Sequence, residues 1–282
     1  MTTSVASDSV WYVYGIVSSD FELPATMAPG WGLDDSGVTL ERAGDVAAIV
    51  SVLDADTYGA AALETNTANV EWLSPRALAH DRVLTWASDH GAVVPLPMFS
   101  VFSGAGAVQA MLRERHAQLT SALDRVGAGR EYALRVYRID DELTAALPEL
   151  SPRIRELAAS AAAASPGQRY LIERKLAAEQ RTELRVVSQA VADRVAAALA
   201  PRAIDIVRSA IPRFSAAESA DASSQGTMVL NAAFLVAADR LSDFQRELTD
   251  IVEREQPNGF RFDFTGPWPP YHFVREAADG GP

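Results

Sequence analysis

The sequence predicts a mixed α/β (α+β) protein of two domains with an ordered C-terminal tail, and three observations carry that prediction. Short runs of β-branched and aromatic residues alternate with longer segments whose apolar residues recur at helical spacing. Gly127-Ala128-Gly129 interrupts the chain near its middle. After that break the order reads strand, helix, strand, strand, helix, strand, which is the ferredoxin-like βαββαβ pattern. The expected units are an N-terminal α/β domain over 1–128, a ferredoxin-like domain over 129–264 and a Pro/aromatic tail over 265–282. At 282 residues the chain is long for one core.

In the first half, Trp11 to Val17 is aromatic and β-branched throughout, so it reads as a central strand. A Pro/Gly-rich loop covers Pro24 to Gly37. Val38–Glu41 and Val46–Leu53 form a hairpin turning at Gly44-Asp45. Ser74-Pro75 signals a helix start, with Asp89 near its end and Gly91 as its stop. Val93 to Phe102 is extended, broken by Pro95 and Pro97. Val108, Met111, Leu112, Leu119, Leu123 and Val126 make one stripe, which predicts a single helix over 108–126.

In the second half, Tyr132 to Ile139 is a strand and an acidic helix begins near Asp140. Ser160 to Gly167 is alanine-rich and broken by Pro166-Gly167, so it reads as a surface excursion. A long helix follows over about Tyr170 to Leu199, burying Leu184, Val187, Val191, Val195 and Leu199. Ala203–Phe214 and Met228–Ala238 are strands around a polar loop, Ser215–Gly226. Ser242 and Gln245 form a capping box for a helix that buries Phe244, Leu248, Ile251 and Val252. Pro257-Asn258-Gly259 closes it. Phe260, Phe262 and Phe264 alternate with Arg261 and Asp263 as a half-buried strand.

Composition excludes several classes of function. Hydrophobic residues make up 48% and charged residues 22%, a globular balance in which long disorder is not expected. The net charge of -12 repels phosphate backbones and anionic lipid, so neither nucleic acid nor a lipid membrane is an expected partner. Without cysteine there are no disulfides, thiolate metal sites or cysteine nucleophiles. No secretory signal or span-length apolar run is seen, so a cytoplasmic location is expected.

Motifs for catalysis are weak. His80, His90, His116 and His272 show no metal-ligand spacing. His80-Asp81 has the composition of a base with an orienting acid, but reads better as part of a helix face. Gly104-Ala105-Gly106 lacks the rest of a phosphate-binding fingerprint and reads as a loop entering a helix. Asp54-Ala55-Asp56 reads as solvated turn residues rather than a magnesium site. Arg174, Lys175, Arg181 and Arg185 have the makings of an anion site. The expectation for a long helix is instead a solvated face paired with Glu173, Glu179 and Glu183. No catalytic, cofactor-binding or metal-binding residue is assigned, no cofactor is expected, and the protein is not expected to be an enzyme.

The unusual segment is Gly266-Pro267-Trp268-Pro269-Pro270-Tyr271-His272-Phe273-Val274. Its prolines stiffen the chain, and its aromatics give large contact area at low entropic cost. Trp268 and Tyr271 are expected to anchor it to the protein's own surface and so to shape a partner-binding face. Gly266, Trp268, Pro269, Pro270, Tyr271 and Phe273, with Tyr170 and Lys175 of the long helix, are the candidate structural or partner-binding residues.

Phe262 through Val274 closely resembles the ending of the gas vesicle F/L family. Trp11-Tyr12-Val13-Tyr14-Gly15-Ile16-Val17 looks like that family's opening strand. Gly167 to Leu176 is similar to its central helix start, and Asn231 to Val236 to its penultimate strand. Val94-Pro95-Leu96-Pro97-Met98-Phe99-Ser100-Val101-Phe102 departs from it, since the family commonly has Arg-Phe-Gly after the first Pro-Leu. The resemblance spans nearly the whole chain. It implies a two-domain α/β protein with a ferredoxin-like second domain, acting without catalysis as an accessory or minor structural protein in assembling gas vesicles, the hollow protein shells that give microbes buoyancy. It further implies association with the main shell protein and with other accessory proteins, and a place in the cytoplasm and at the vesicle. Whether the role is F-type or L-type stays open. The alternatives from other classes are a small-molecule-binding regulatory protein with a ferredoxin-like domain and an uncharacterised enzyme.

Overall fold

The computed structural model describes residues 9–24, 30–127, 129–211 and 226–274. It is a mixed helix-and-sheet chain with two antiparallel sheets. Contacts divide it into two compact units, Met1–Glu131 with Pro267–Pro282, and Tyr132–Gly266. The contact boundary thus falls a few residues after the glycines, and the tail from Pro267 belongs to the first unit rather than standing apart.

In the first unit β1 (Ser9–Ser18) is central. The sheet runs β2 (Thr39–Ala43), β3 (Val46–Asp54), β1, β4 (Val94–Pro95), with β5 (Val101–Phe102) also on β1. The register of β1 on β3 shifts between Val13 and Gly15. That bulge resets the alternation of the strand. Tyr12 and Tyr14 face one core cluster, Val13 and Ile16 the other, and Val17 returns to the first.

Helices cover both faces. α1 (Ala55–Tyr58), α2 (Ala60–Asn66) and α3 (Val70–His90) lie with Tyr12, Tyr14 and Ile49. α4 (Ala105–Glu114) and α5 (His116–Val126) lie with Val13, Val46 and Val50. Two expectations change here. α3 starts at Val70, not at Ser74-Pro75, because the Asn69 side chain caps it by accepting from Glu71 and Trp72 N–H at 2.9 and 3.4 Å. Ser74 is already inside, its hydroxyl donating back to the Val70 carbonyl at 2.8 Å. The single helix over 108–126 is two helices, broken where Arg115 leaves helical dihedrals (φ -99, ψ 10).

In the second unit the order is β6 (Gly129–Arg138), α6 (Asp140–Leu150), α7 (Pro152–Ala163), α8 (Pro166–Leu199), β7 (Asp205–Arg208), β8 (Thr227–Ala237), α9 (Leu241–Glu255) and β9 (Phe260–Trp268). The sheet order is β7-β8-β6-β9. One cluster joins alternate residues of β6 and β8, such as Leu134, Val136, Leu230 and Phe234, to Leu147, Val191, Val195, Phe244 and Ile251 of the helices.

The alanine-rich stretch is not an excursion. It is the end of α7, and Ser165-Pro166 starts α8 with proline at the first helical position. The Ser242 capping box does not form, because a short turn of helix at Ala238–Arg240 runs straight into α9 and places Ser242 inside it. Residues 212–214 of the expected strand and 215–225 of the expected loop lie outside the described residues.

Candidate partner-binding surfaces

β9 delivers the chain to Gly266, whose φ of 128 is a conformation that suits glycine and lets the tail turn. Pro269 and Pro270 are buried. Tyr271 N–H donates to the Pro269 carbonyl at 2.8 Å and Phe273 N–H to that of Pro270 at 3.2 Å, winding Tyr271–Phe273 into one tight turn. Tyr271 packs on the aromatic cluster beside α3, and Val274 joins the opposite cluster. Phe273 and Val274 are 3% and 2% exposed. They wall a shallow cavity of about 280 Å³ with Ala122 and Arg125 of α5.

The tail is also held by hydrogen bonds to a carboxylate. Glu131, itself buried, accepts His272 N–H on Oε2 at 2.9 Å, and its Oε1 lies 2.6 Å from His272 Nδ1. Burial raises the Tyr271 hydroxyl above the ordinary tyrosine range, and the negative charges of Asp81 and Glu131 add to it. Tyr271 therefore stays neutral.

Trp268 differs from its neighbours. It is 42% exposed, whereas Pro269, Pro270 and Phe273 are buried. The two candidates on α8 are also at the surface. Tyr170 is 60% exposed and Lys175 is exposed. They lie in the second unit, away in sequence from the tail residues of the first.

The weaker motifs resolve locally. His80 is 4% exposed, and its Nδ1 is hydrogen-bonded by the Tyr12 hydroxyl at 2.7 Å. Its Nε2 is buried without a partner in hydrogen-bond geometry. Burial pushes the imidazole down to about 4, with the Leu96 backbone only partly opposing that. Asp81 is not its hydrogen-bond partner, and burial raises the Asp81 carboxyl. Gly104 precedes α4. Asp54 precedes α1, and its side chain accepts from the Thr57 hydroxyl at 3.1 Å. Among the described residues no three His, Cys, Asp or Glu side chains are grouped to hold a metal, and no helix is long and apolar enough to cross a membrane.

Glu131 was not visible in the sequence as a functional residue. Its partner is 141 positions away, and a lone acid after a glycine pair gives no local signal.

Comparison with known proteins agrees along the chain. The family described as gas vesicle synthesis protein GvpL/GvpF matches residues 10–275. Gas vesicle protein L of Streptomyces sp. (strain CB03234) is 27% identical over 273 residues, covering 96% of this chain and 94% of that protein. Gas vesicle protein L2 of Halobacterium salinarum is 27% identical over 277 residues, covering 96% and 93%. The fold resembles the crystal structure of the gas vesicle protein GvpF from Anabaena sp. PCC7120, with a TM-score of 0.68 at 18% identity, covering 94% of this chain and 98% of that one.

Proposed function

The chain belongs to the gas vesicle GvpL/GvpF family, and from that premise we propose that it is a non-enzymatic accessory or minor structural protein of gas vesicle assembly that binds the main shell protein and other accessory proteins. One observation carries the reading. Trp268 stands 42% exposed between prolines, directly before a segment held by the buried Pro269, Pro270, Phe273 and Val274. An exposed indole on a pre-ordered segment loses little entropy on docking, and tryptophan is among the residues that dominate interface energies. Gly266, Pro269, Pro270, Tyr271 and Phe273 act in this reading as the mount, and Trp268 as the contact. The partner face belongs to the first unit.

In the same reading the two compact units are two domains, and the second is ferredoxin-like. Numbered within that unit its strands lie in the order 2-3-1-4, the order expected of a split βαβ pair. The protein works in the cytoplasm and at the vesicle, without nucleic acid, lipid or cofactor.

The test is capture of purified shell protein by the wild type and by Trp268→Ala. We expect capture to fall about tenfold, as loss of a hot-spot side chain gives, with the melting temperature unchanged. Equal capture by the two proteins overturns the assignment of this face.

A further inference from the structure

We propose that the outward face of α8 is a second docking surface, specific for an acidic amphipathic helix of a partner protein. It goes beyond the tail reading and uses residues of the second unit alone.

α8 has 34 residues, so it is about 51 Å long at 1.5 Å per residue. Its second half buries Leu184, Val191, Val195 and Leu199 in the core. Its first half packs on α7, where Arg153 reaches Glu179 at 2.6 Å and Arg169 donates to the Ala161 carbonyl at 3.2 Å. The side opposite α7 is uncovered. At about 100° per residue, Arg174, Lys175, Arg181 and Arg185 fall within an arc of about 120°, with Glu173 and Glu183 about 80° outside its two edges and Glu179 about 40° beyond Lys175.

The expected pairing of these cations along the helix is therefore not made. Glu173 and Glu183 lie outside the arc, and Glu179, the neighbour of Lys175, is taken by Arg153 of α7. Among the described residues none of the four cations has an ion pair or a side-chain hydrogen bond. Such a stripe is unexpected on a chain of net charge -12. Four like charges on adjacent turns repel one another, which costs helix stability unless a counter-charge covers them.

The chemistry of the occupant follows from what lies between the charges. Leu171 is 66% exposed within the same arc, with Tyr170 at its edge and Ala178 between the cations. An apolar strip flanked by cations matches a helix with an apolar strip flanked by carboxylates. A phosphate backbone would use the cations but not the leucine, and the acidic remainder of the chain would repel it. A second copy of this chain is disfavoured by the repulsion of two acidic molecules.

The probe is a lactam-stapled helical peptide with leucines on one face and glutamates on either side, fluorescently labelled and titrated with the purified full chain. We expect binding that weakens about tenfold or more as salt is raised from about 0.01 M to about 1 M, which shortens the Debye length from about 30 Å to about 3 Å. Binding should fall by about tenfold or more in Arg174→Glu/Lys175→Glu/Arg181→Glu/Arg185→Glu. It should also fall when the peptide glutamates are replaced by glutamine, and return when the reversed protein meets a lysine version of the peptide. The four-glutamine variant serves if the reversed one melts early. No binding by the wild type, or equal binding by the variants, overturns the proposal. So does tighter binding of poly(U) RNA or of phosphatidylglycerol vesicles, or self-association abolished by the same substitutions. The assay contains no shell protein, so its outcome is independent of the tail.

Discussion

Glu131 holds His272 by two atoms at once, accepting the backbone N–H at 2.9 Å on one carboxylate oxygen and facing Nδ1 at 2.6 Å with the other. A buried carboxylate with two directed partners fixes both the position and the rotation of the turn at Tyr271–Phe273. Glu131→Ala leaves a buried N–H and an imidazole without acceptors, at a cost of about 2 kcal/mol. Calorimetry should show a lower melting temperature, and limited proteolysis should cut the tail sooner. Glu131→Gln keeps one acceptor and should lie between the two.

The tail separates a support from a contact. Phe273 is 3% exposed and Trp268 is 42% exposed. Phe273→Ala removes a buried ring and should cost about 3–5 kcal/mol. Trp268→Ala should cost clearly less, since about two fifths of its surface already faces water. Denaturant titration of the two variants checks the ordering. Equal losses would mean that Trp268 is structural after all.

Much of this architecture was legible because it rests on local pattern. The β1 run, the hairpin at Gly44-Asp45 and the buried stripe of α8 follow from period and turn chemistry. The misreadings share a cause. Ser74-Pro75 reads as a helix start and Pro166-Gly167 as a break, but the structure puts Ser74-Pro75 inside α3 and starts α8 at Pro166. In each case the deciding residue lay elsewhere, Asn69 as the cap of α3 and the packing of α7 on α8. Trp268 and Phe273 cannot be told apart by type, only by which side of the turn meets the core. Glu131 was illegible because its partner is distant in sequence.

Gly32 is a position where space decides the residue. A Cβ there would lie 2.5 Å from the hydroxyls of Ser36 and Ser51 and 2.7 Å from that of Tyr14. Tyr14 and Ser51 already hydrogen-bond each other at 2.9 Å, and the Leu33 N–H donates to Tyr14 at 2.9 Å. Gly32→Ala must push this buried network apart and should cost about 1–3 kcal/mol. Thermal melting measures it. Ser51→Ala in the same background should recover part of the loss, because it removes one of the clashing atoms.

His80 makes the fold sensitive to acid. Its imidazole sits at about 4 in the folded chain, because burial disfavours the charged form, against 6.5 when exposed. Between those values the unfolded chain carries a proton that the folded chain does not. The unfolded state is then favoured by protons, and stability falls as pH drops from about 6.5 to about 4. The loss is at most about 3.4 kcal/mol, at 1.36 kcal/mol for each pH unit between 6.5 and about 4. Above 6.5 both states are neutral and the effect is absent. Tyr12 and Tyr14, the rings packed against His80, are raised by burial and stay neutral throughout this range. Asp45 and Asp193, held below the usual carboxylate range mainly by their hydrogen bonds to His116 and Arg208, also lose stabilisation on acidification, but at lower pH. The His80 contribution is therefore isolated by comparing the wild type with His80→Gln. The variant should be less stable at pH 7.5, since an amide fits the Tyr12 hydroxyl less well than the imidazole. Its stability should then decline less between pH 6.5 and 4.5, so the two curves converge. Parallel curves from urea titrations across that range would mean that His80 takes up its proton equally in both states, and that the buried, uncharged imidazole described here is wrong.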